Sequence, residues 1–93
     1  MAAPLTIREE PAATAALDAA RKKYPRTDEW WLGWSWRLVR DPLTDAIKVP
    51  GSSPQAYLMK TDDFSRYGAP PPSAFLYTFD NERLYLLEVL IPA

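Results

Sequence analysis

All four tryptophans of this chain, Trp30, Trp31, Trp34 and Trp36, fall within the stretch DEWWLGWSW, residues 28–36. Indole rings so concentrated have three uses. They can fill a core, stack on bases or sugars, or anchor a partner protein. The other reactive side chains are sparse. Asp62 and Asp63 form a carboxylate pair of the kind that can hold a divalent ion, but no further acids cluster near them in sequence. The pair therefore reads as a solvated turn, and no metal or cofactor is expected. There is no cysteine and no histidine. Imidazole acid–base chemistry and a Cys/His zinc site are excluded with them. Ser35, Ser52, Ser53, Ser65 and Ser73 have no imidazole to activate them as nucleophiles. No glycine-rich phosphate loop is present.

Charge narrows the function classes further. The chain has 11 basic and 12 acidic residues, a net charge of −1. Nucleic-acid binders draw most of their affinity from a basic excess facing phosphate, and neither half of this chain forms a basic arm. Its 93 residues make a single domain, 1–93. No apolar run approaches the roughly 18 residues of a membrane-spanning helix. The first residues, MAAPLTIREEP, lack the basic and apolar regions of a secretory signal. A soluble, cytoplasmic protein without membrane contact is expected.

The elements that must position these residues are legible in the pattern. Residues 5–9, LTIRE, alternate as a strand. Pro11 suits a helix start, and residues 11–24 form an Ala-rich helix with Ala13, Leu17, Ala20 and Tyr24 on one stripe. Pro25 ends it. Thr27 reads as the N-cap of a second helix that runs to about Arg40, where Asp41-Pro42 stops it. Residues 42–55 read as a loop, anchored to the body by Ile47 and Val49. Strands are predicted over 56–61, 74–80 and 84–91, with a Pro-rich loop at 62–73 and a hairpin turn at Asp80–Arg83. Pro70-Pro71-Pro72 reads as a stiffening of that loop. In the last strand Tyr85, Leu87, Val89 and Ile91 are expected on one face, with Leu84, Leu86, Glu88 and Leu90 on the other. The predicted fold is α+β, β-α-α-β-β-β, a helical hairpin packed on a small antiparallel sheet.

On the second helix, Trp30, Trp31, Trp34 and Leu38 share an arc of about 100°. Leu32, Trp36 and Val39 share a second arc, centred roughly opposite. An ordinary surface helix carries a single apolar stripe. The doubled pattern means the helix is covered from two directions. The tryptophans are expected to be mainly core, either with the second arc on the first helix or with that arc as a partner interface. Trp36 is the ring most expected at a partner surface, with Leu32 and Val39 beside it. A stacking platform is the third reading.

In this order the segments resemble the RelE/ParE superfamily of type II toxin–antitoxin systems, as a divergent member. The similar residues are Arg40-Asp41-Pro42 closing the helical hairpin, Tyr57-Leu58-Met59-Lys60-Thr61 as a "Y-x-(I/L)-K-T" strand, and Gly68 in the following loop. Phe75 to Asp80 match the "V-L-Y-x-(V/I/F)-D" strand, and Tyr85 to Val89 match the closing strand. The resemblance in the order of the segments covers most of the chain. The resemblance implies a bacterial toxin that binds an antitoxin protein or pairs with itself. In the ribonuclease branch it implies cationic residues on the sheet that hold RNA on the ribosome. Lys60 and Arg66 are the candidates for that catalytic, phosphate-holding role. Ala74 stands where the family typically has Arg, and Ile91-Pro92-Ala93 bring no Tyr, His or Arg after the last strand. Strong ribonuclease activity is therefore not expected. Tyr77 is read as a packed strand residue with a paired hydroxyl. Protein binding is the expected function; the alternatives are an active mRNA interferase and a non-toxin dimerising or adaptor protein.

Overall fold

The computed structural model describes residues 4–92. Strand β1 (Thr6–Glu9) leads into helix α1 (Pro11–Lys23) and helix α2 (Thr27–Arg40). Four strands follow: β2 (Ile47–Lys48), β3 (Tyr57–Lys60), β4 (Ala74–Phe79) and β5 (Arg83–Leu90). They form one sheet in the order β1-β5-β4-β3-β2. The fold is the α+β arrangement that the pattern implies, with two refinements. β1 pairs with β5 in parallel, whereas all the other pairs are antiparallel. A parallel pair requires a long connection, and the whole stretch between β1 and β5 supplies it. The second refinement is β2, a two-residue edge strand inside the segment expected to be loop. Ile47 is exposed there rather than anchoring the loop, and Val49 is half-buried.

Helix α1 begins with Pro11 at its first turn and buries Ala13, Leu17 and Ala20 of the predicted stripe, while Tyr24, its fourth member, is the half-buried C-cap beyond the helix. Its small side chains let it lie closely on β5. Three residues later α2 starts, and here the expected N-cap is corrected. Thr27 is already the first helical residue, and Arg26 holds the cap position. The Thr27 hydroxyl donates instead to the carbonyls of Tyr24, at 2.8 Å, and Ala20, at 3.1 Å. It is buried and ties the end of α1 to the start of α2. An Arg21 guanidinium shared by Asp18 and Asp28, both at 2.7 Å, braces the same corner from outside.

The core sits between the helices and one face of the sheet. Phe75 and Tyr77 of β4, Leu84, Leu86 and Val89 of β5, and Met59 of β3 are buried there with Leu17 and Leu38. The expected facing of β5 is corrected by a bulge. Leu76 faces Glu88 but Tyr77 faces Leu86, so Leu87 is an extra residue. An inserted residue reverses the alternation. Leu84 and Leu86 therefore share the core face with Val89, which strict alternation would put on the other side. The hairpin before β5 is capped by Asp80, whose carboxylate accepts the backbone N–H groups of Glu82 and Arg83, both at 2.8 Å. Those two hydrogen bonds, Arg83 first, hold the Asp80 carboxyl below its ordinary pKa.

The loop between β3 and β4 is clamped at both ends. Thr61 and Ser73 extend the ladder, with Ser73 N–H donating to the Thr61 hydroxyl at 2.8 Å and Thr61 N–H to the Ser73 carbonyl at 2.9 Å. Further on, the Gly68 carbonyl accepts the Arg26 N–H at 2.9 Å. Gly68 has φ +88°, and a Cβ there would lie 3.0 Å from Arg26 Cγ and 3.2 Å from Pro25 Cγ. Both the left-handed backbone and the close approach require glycine. This contact holds the loop beside the first turns of α2.

Candidate functional site

The two arcs of α2 have separate fates. Trp30, Trp31 and Leu38 are buried and Trp34 is half-buried. Three indoles surround Phe75, with ring centroids 5.3 Å away for Trp30 and Trp31 and 5.8 Å for Trp34, all tilted. Tilted aromatic contacts at this range are favourable beyond the area they bury. The second arc stays outside. Leu32 is 70% exposed and Trp36 60% exposed, while Val39 is half-buried. Helix α1 does not cover Leu32 or Trp36. The Arg40 guanidinium lies over the Trp36 ring, 4.2 Å from its centroid, and donates to the Trp36 carbonyl at 3.3 Å. Leu43, in the segment after α2, is also exposed.

On another side of α2 a cleft of about 430 Å³ separates the helix from the loop after β3. Trp30, Gly33 and Trp34 form its helical wall, and Asp62, Phe64 and Tyr67 form the opposite wall. The local folding of the loop explains that wall. Asp63 accepts the Ser65 hydroxyl at 2.6 Å and the Ser65 N–H at 3.0 Å, which starts a 3-10 turn over Ser65–Tyr67. These bonds, the hydroxyl first, lower the pKa of the Asp63 carboxyl. The predicted carboxylate pair is thus divided. Asp63 is spent on the turn, and Asp62 faces the cleft. Among the described residues, no three His, Cys, Asp or Glu side chains assemble into a metal site.

The cleft edges carry Arg26, paired with Glu29 at 3.2 Å, and Arg37, paired with Asp45 at 2.9 Å. The Arg37 guanidinium also lies 5.4 Å from the Trp34 ring centroid. Trp30 presents a different feature. Its indole N–H is buried and has no hydrogen-bond acceptor.

Lys60 and Arg66 are both exposed and neither lines this cleft. Lys60 ends β3 opposite Ala74, next to buried Met59 and therefore on the sheet face turned away from the helices. Arg66 sits in the 3-10 turn with its guanidinium 4.8 Å from the Tyr67 ring centroid. Tyr77 is fully buried, and its hydroxyl donates to the Pro42 carbonyl. Burial first, then the neighbouring Tyr57, pushes its pKa up to about 12. A phenol so protected holds the segment after α2 onto the sheet. Sequence reasoning singled out the tryptophans but not the cleft. Its available signals were a glycine in mid-helix between two tryptophans, and Phe64 and Tyr67 in an otherwise polar loop.

No protein-family model matches this chain, and no curated protein or solved structure shows significant similarity to it. Among the described residues no helix is long and apolar enough to cross a membrane.

Proposed function

We propose that this chain is a RelE/ParE-like domain that acts by binding another protein, either an antitoxin-type partner or a second copy of itself, through the outer arc of α2. The observation that carries the reading is the pair Leu32 and Trp36, one helical turn apart and 70% and 60% exposed. A folded chain that packs three tryptophans around Phe75 leaves the fourth outside with a leucine beside it. Trp and Arg are the residue types most enriched where binding energy concentrates, and Arg40 already stacks on Trp36. Val39 forms the half-buried margin of the same surface. The slight acidity of the chain favours a protein partner over a nucleic acid.

The test is the solution mass of the purified chain by light scattering, beside Trp36→Glu and alone or mixed with a candidate antitoxin. A wild-type complex or dimer that the variant loses while remaining folded supports the reading. A wild-type monomer that forms no complex overturns it.

A further inference from the structure

We infer that the cleft between α2 and the loop at 62–68 is a second binding site, for a partner peptide segment that carries a large apolar side chain beside a basic one. The inference rests on the chain being a protein-binding domain, but not on Leu32 or Trp36. Three observations meet at this cleft.

The first is Gly33. Glycine inside a helix is less stable than alanine there, because it fixes a freer backbone and adds no side chain. Elsewhere a close approach or a left-handed backbone accounts for such a residue, as at Gly68. Neither holds at Gly33: it is helical, and a Cβ built on it meets nothing within 4 Å. The folded chain has no packing reason for glycine at this position. The space it leaves belongs to the cleft, so the occupant is what would come close to the α2 backbone. The second is Trp30, which lines the cleft and whose indole N–H is buried behind that wall without an acceptor. Buried donors are paired in nearly all folded proteins. The free chain therefore leaves Trp30 unsatisfied, and a turn of its ring on binding would bring the N–H to a main-chain carbonyl of the peptide.

The third observation is charge. Arg26 and Arg37 are each engaged by a carboxylate, from Glu29 and Asp45. Asp62 is the lining charge with no ion-pair partner among the described residues. The complement of an apolar cavity with one free carboxylate at its edge is an apolar side chain next to a cation. The volume of about 430 Å³ lies in the range of occupied ligand pockets and admits an aromatic side chain with its flanking backbone. Phe64 and Tyr67, 43% and 59% exposed, are the rings that would close over it.

The experiment follows the indole N–H signals of the full chain by NMR while acetyl-Phe-Arg-amide is added to about 10 mM, a range suited to a weak dipeptide contact. Acetyl-Phe-Glu-amide and acetyl-Phe-amide are the controls. The expected result is a saturable shift of the Trp30 and Trp34 signals, with the basic probe binding about threefold or more tightly than either control, the fold-change of an exposed ion pair. Asp62→Asn should erase that preference while keeping the shift. Gly33→Leu should remove the shift while leaving thermal stability equal or higher. No saturable shift with the basic probe, equal binding of all three probes, or undiminished binding to Gly33→Leu would each overturn the inference. So would an unfolded Gly33→Leu, since it would show a structural need for glycine at 33. Trp36→Glu should bind the probe like the wild type. Failure of the outer-arc reading appears in the solution mass, and failure of this one appears in the indole shifts.

Discussion

The two apolar arcs of α2 are built from the same residue types within one 14-residue helix, yet they do different things. The inner arc sets Trp30, Trp31 and Trp34 around Phe75 and closes the core. The outer arc leaves Leu32 and Trp36 in solvent. What separates them is not hydrophobicity but what stands opposite. The sheet presents a fully buried ring at Phe75 to one arc. Helix α1, whose stripe is mostly alanine, lies against β5 and leaves the other arc bare. The lesson is that a doubled apolar pattern on a helix announces two contacts, and this fold provides for one of them.

Substitutions sharpen the contrast, and the largest effect belongs at the centre of the inner arc. Phe75→Ala removes the ring that three indoles share, and should lower unfolding free energy by about 3–5 kcal/mol. Urea denaturation followed by tryptophan fluorescence measures it. A loss below about 1 kcal/mol would mean that the inner arc is not a packed core.

Thr27→Val should cost about 1–2 kcal/mol, because it removes a buried hydroxyl that donates to Tyr24 and Ala20 while keeping side-chain shape. Thermal unfolding by circular dichroism reads this out. An unchanged midpoint would show that the corner between α1 and α2 is held by its surface ion pairs instead.

Tyr77→Phe tests the anchor of the segment after α2, and should cost about 1 kcal/mol near neutral pH through the lost hydrogen bond to Pro42. The same residue gives a pH signature. Its folded pKa is about 12, above the ordinary value of 10.0. Between these values the unfolded state loses the phenol proton and the folded state keeps it. Stability contributed by neutral Tyr77 is therefore full below pH 10 and falls as pH rises towards 12, by up to roughly 1.4 kcal/mol per pH unit. Chemical denaturation across this window should show the advantage of wild type over Tyr77→Phe shrinking as pH rises. A constant difference would sink the assignment.

The smallest stability effect belongs to the outer arc. Trp36→Glu should change unfolding free energy by no more than about 0.5 kcal/mol, as an exposed substitution does, while altering association. A loss comparable with that of Phe75→Ala would erase the distinction between the arcs.

Much of the framework could be read directly. Pro11 and Asp41-Pro42 mark the outer bounds of the helical pair, and Asp80 the β4–β5 turn, because proline geometry and Asp capping act within a few residues. Tyr77 reads as a packed strand residue in the same way, and it is fully buried. Thr27 shows where that reasoning fails. Its type suits a cap, but it bonds the Tyr24 carbonyl just after α1 and the Ala20 carbonyl within it, and the angle between two helices brings Ala20 within reach. Leu87 is another case, because a bulge depends on how β5 registers against β4. The cleft was the least legible feature. Its walls lie about thirty residues apart in sequence, and the Gly68–Arg26 contact holds them side by side.

The amino-acid sequence by itself determined the periods, the stops and the charge: two helices, a set of short strands, four tryptophans on one helix, and a net charge of −1 with no basic excess. Those properties follow from local backbone sterics and composition. The tertiary structure alone decided that β1 runs parallel to β5, that Trp36 stays outside while three other tryptophans surround Phe75, and that Asp62 rather than Asp63 faces a cavity. Each of these depends on which distant surface arrives opposite a side chain, and that is settled only when the whole chain packs.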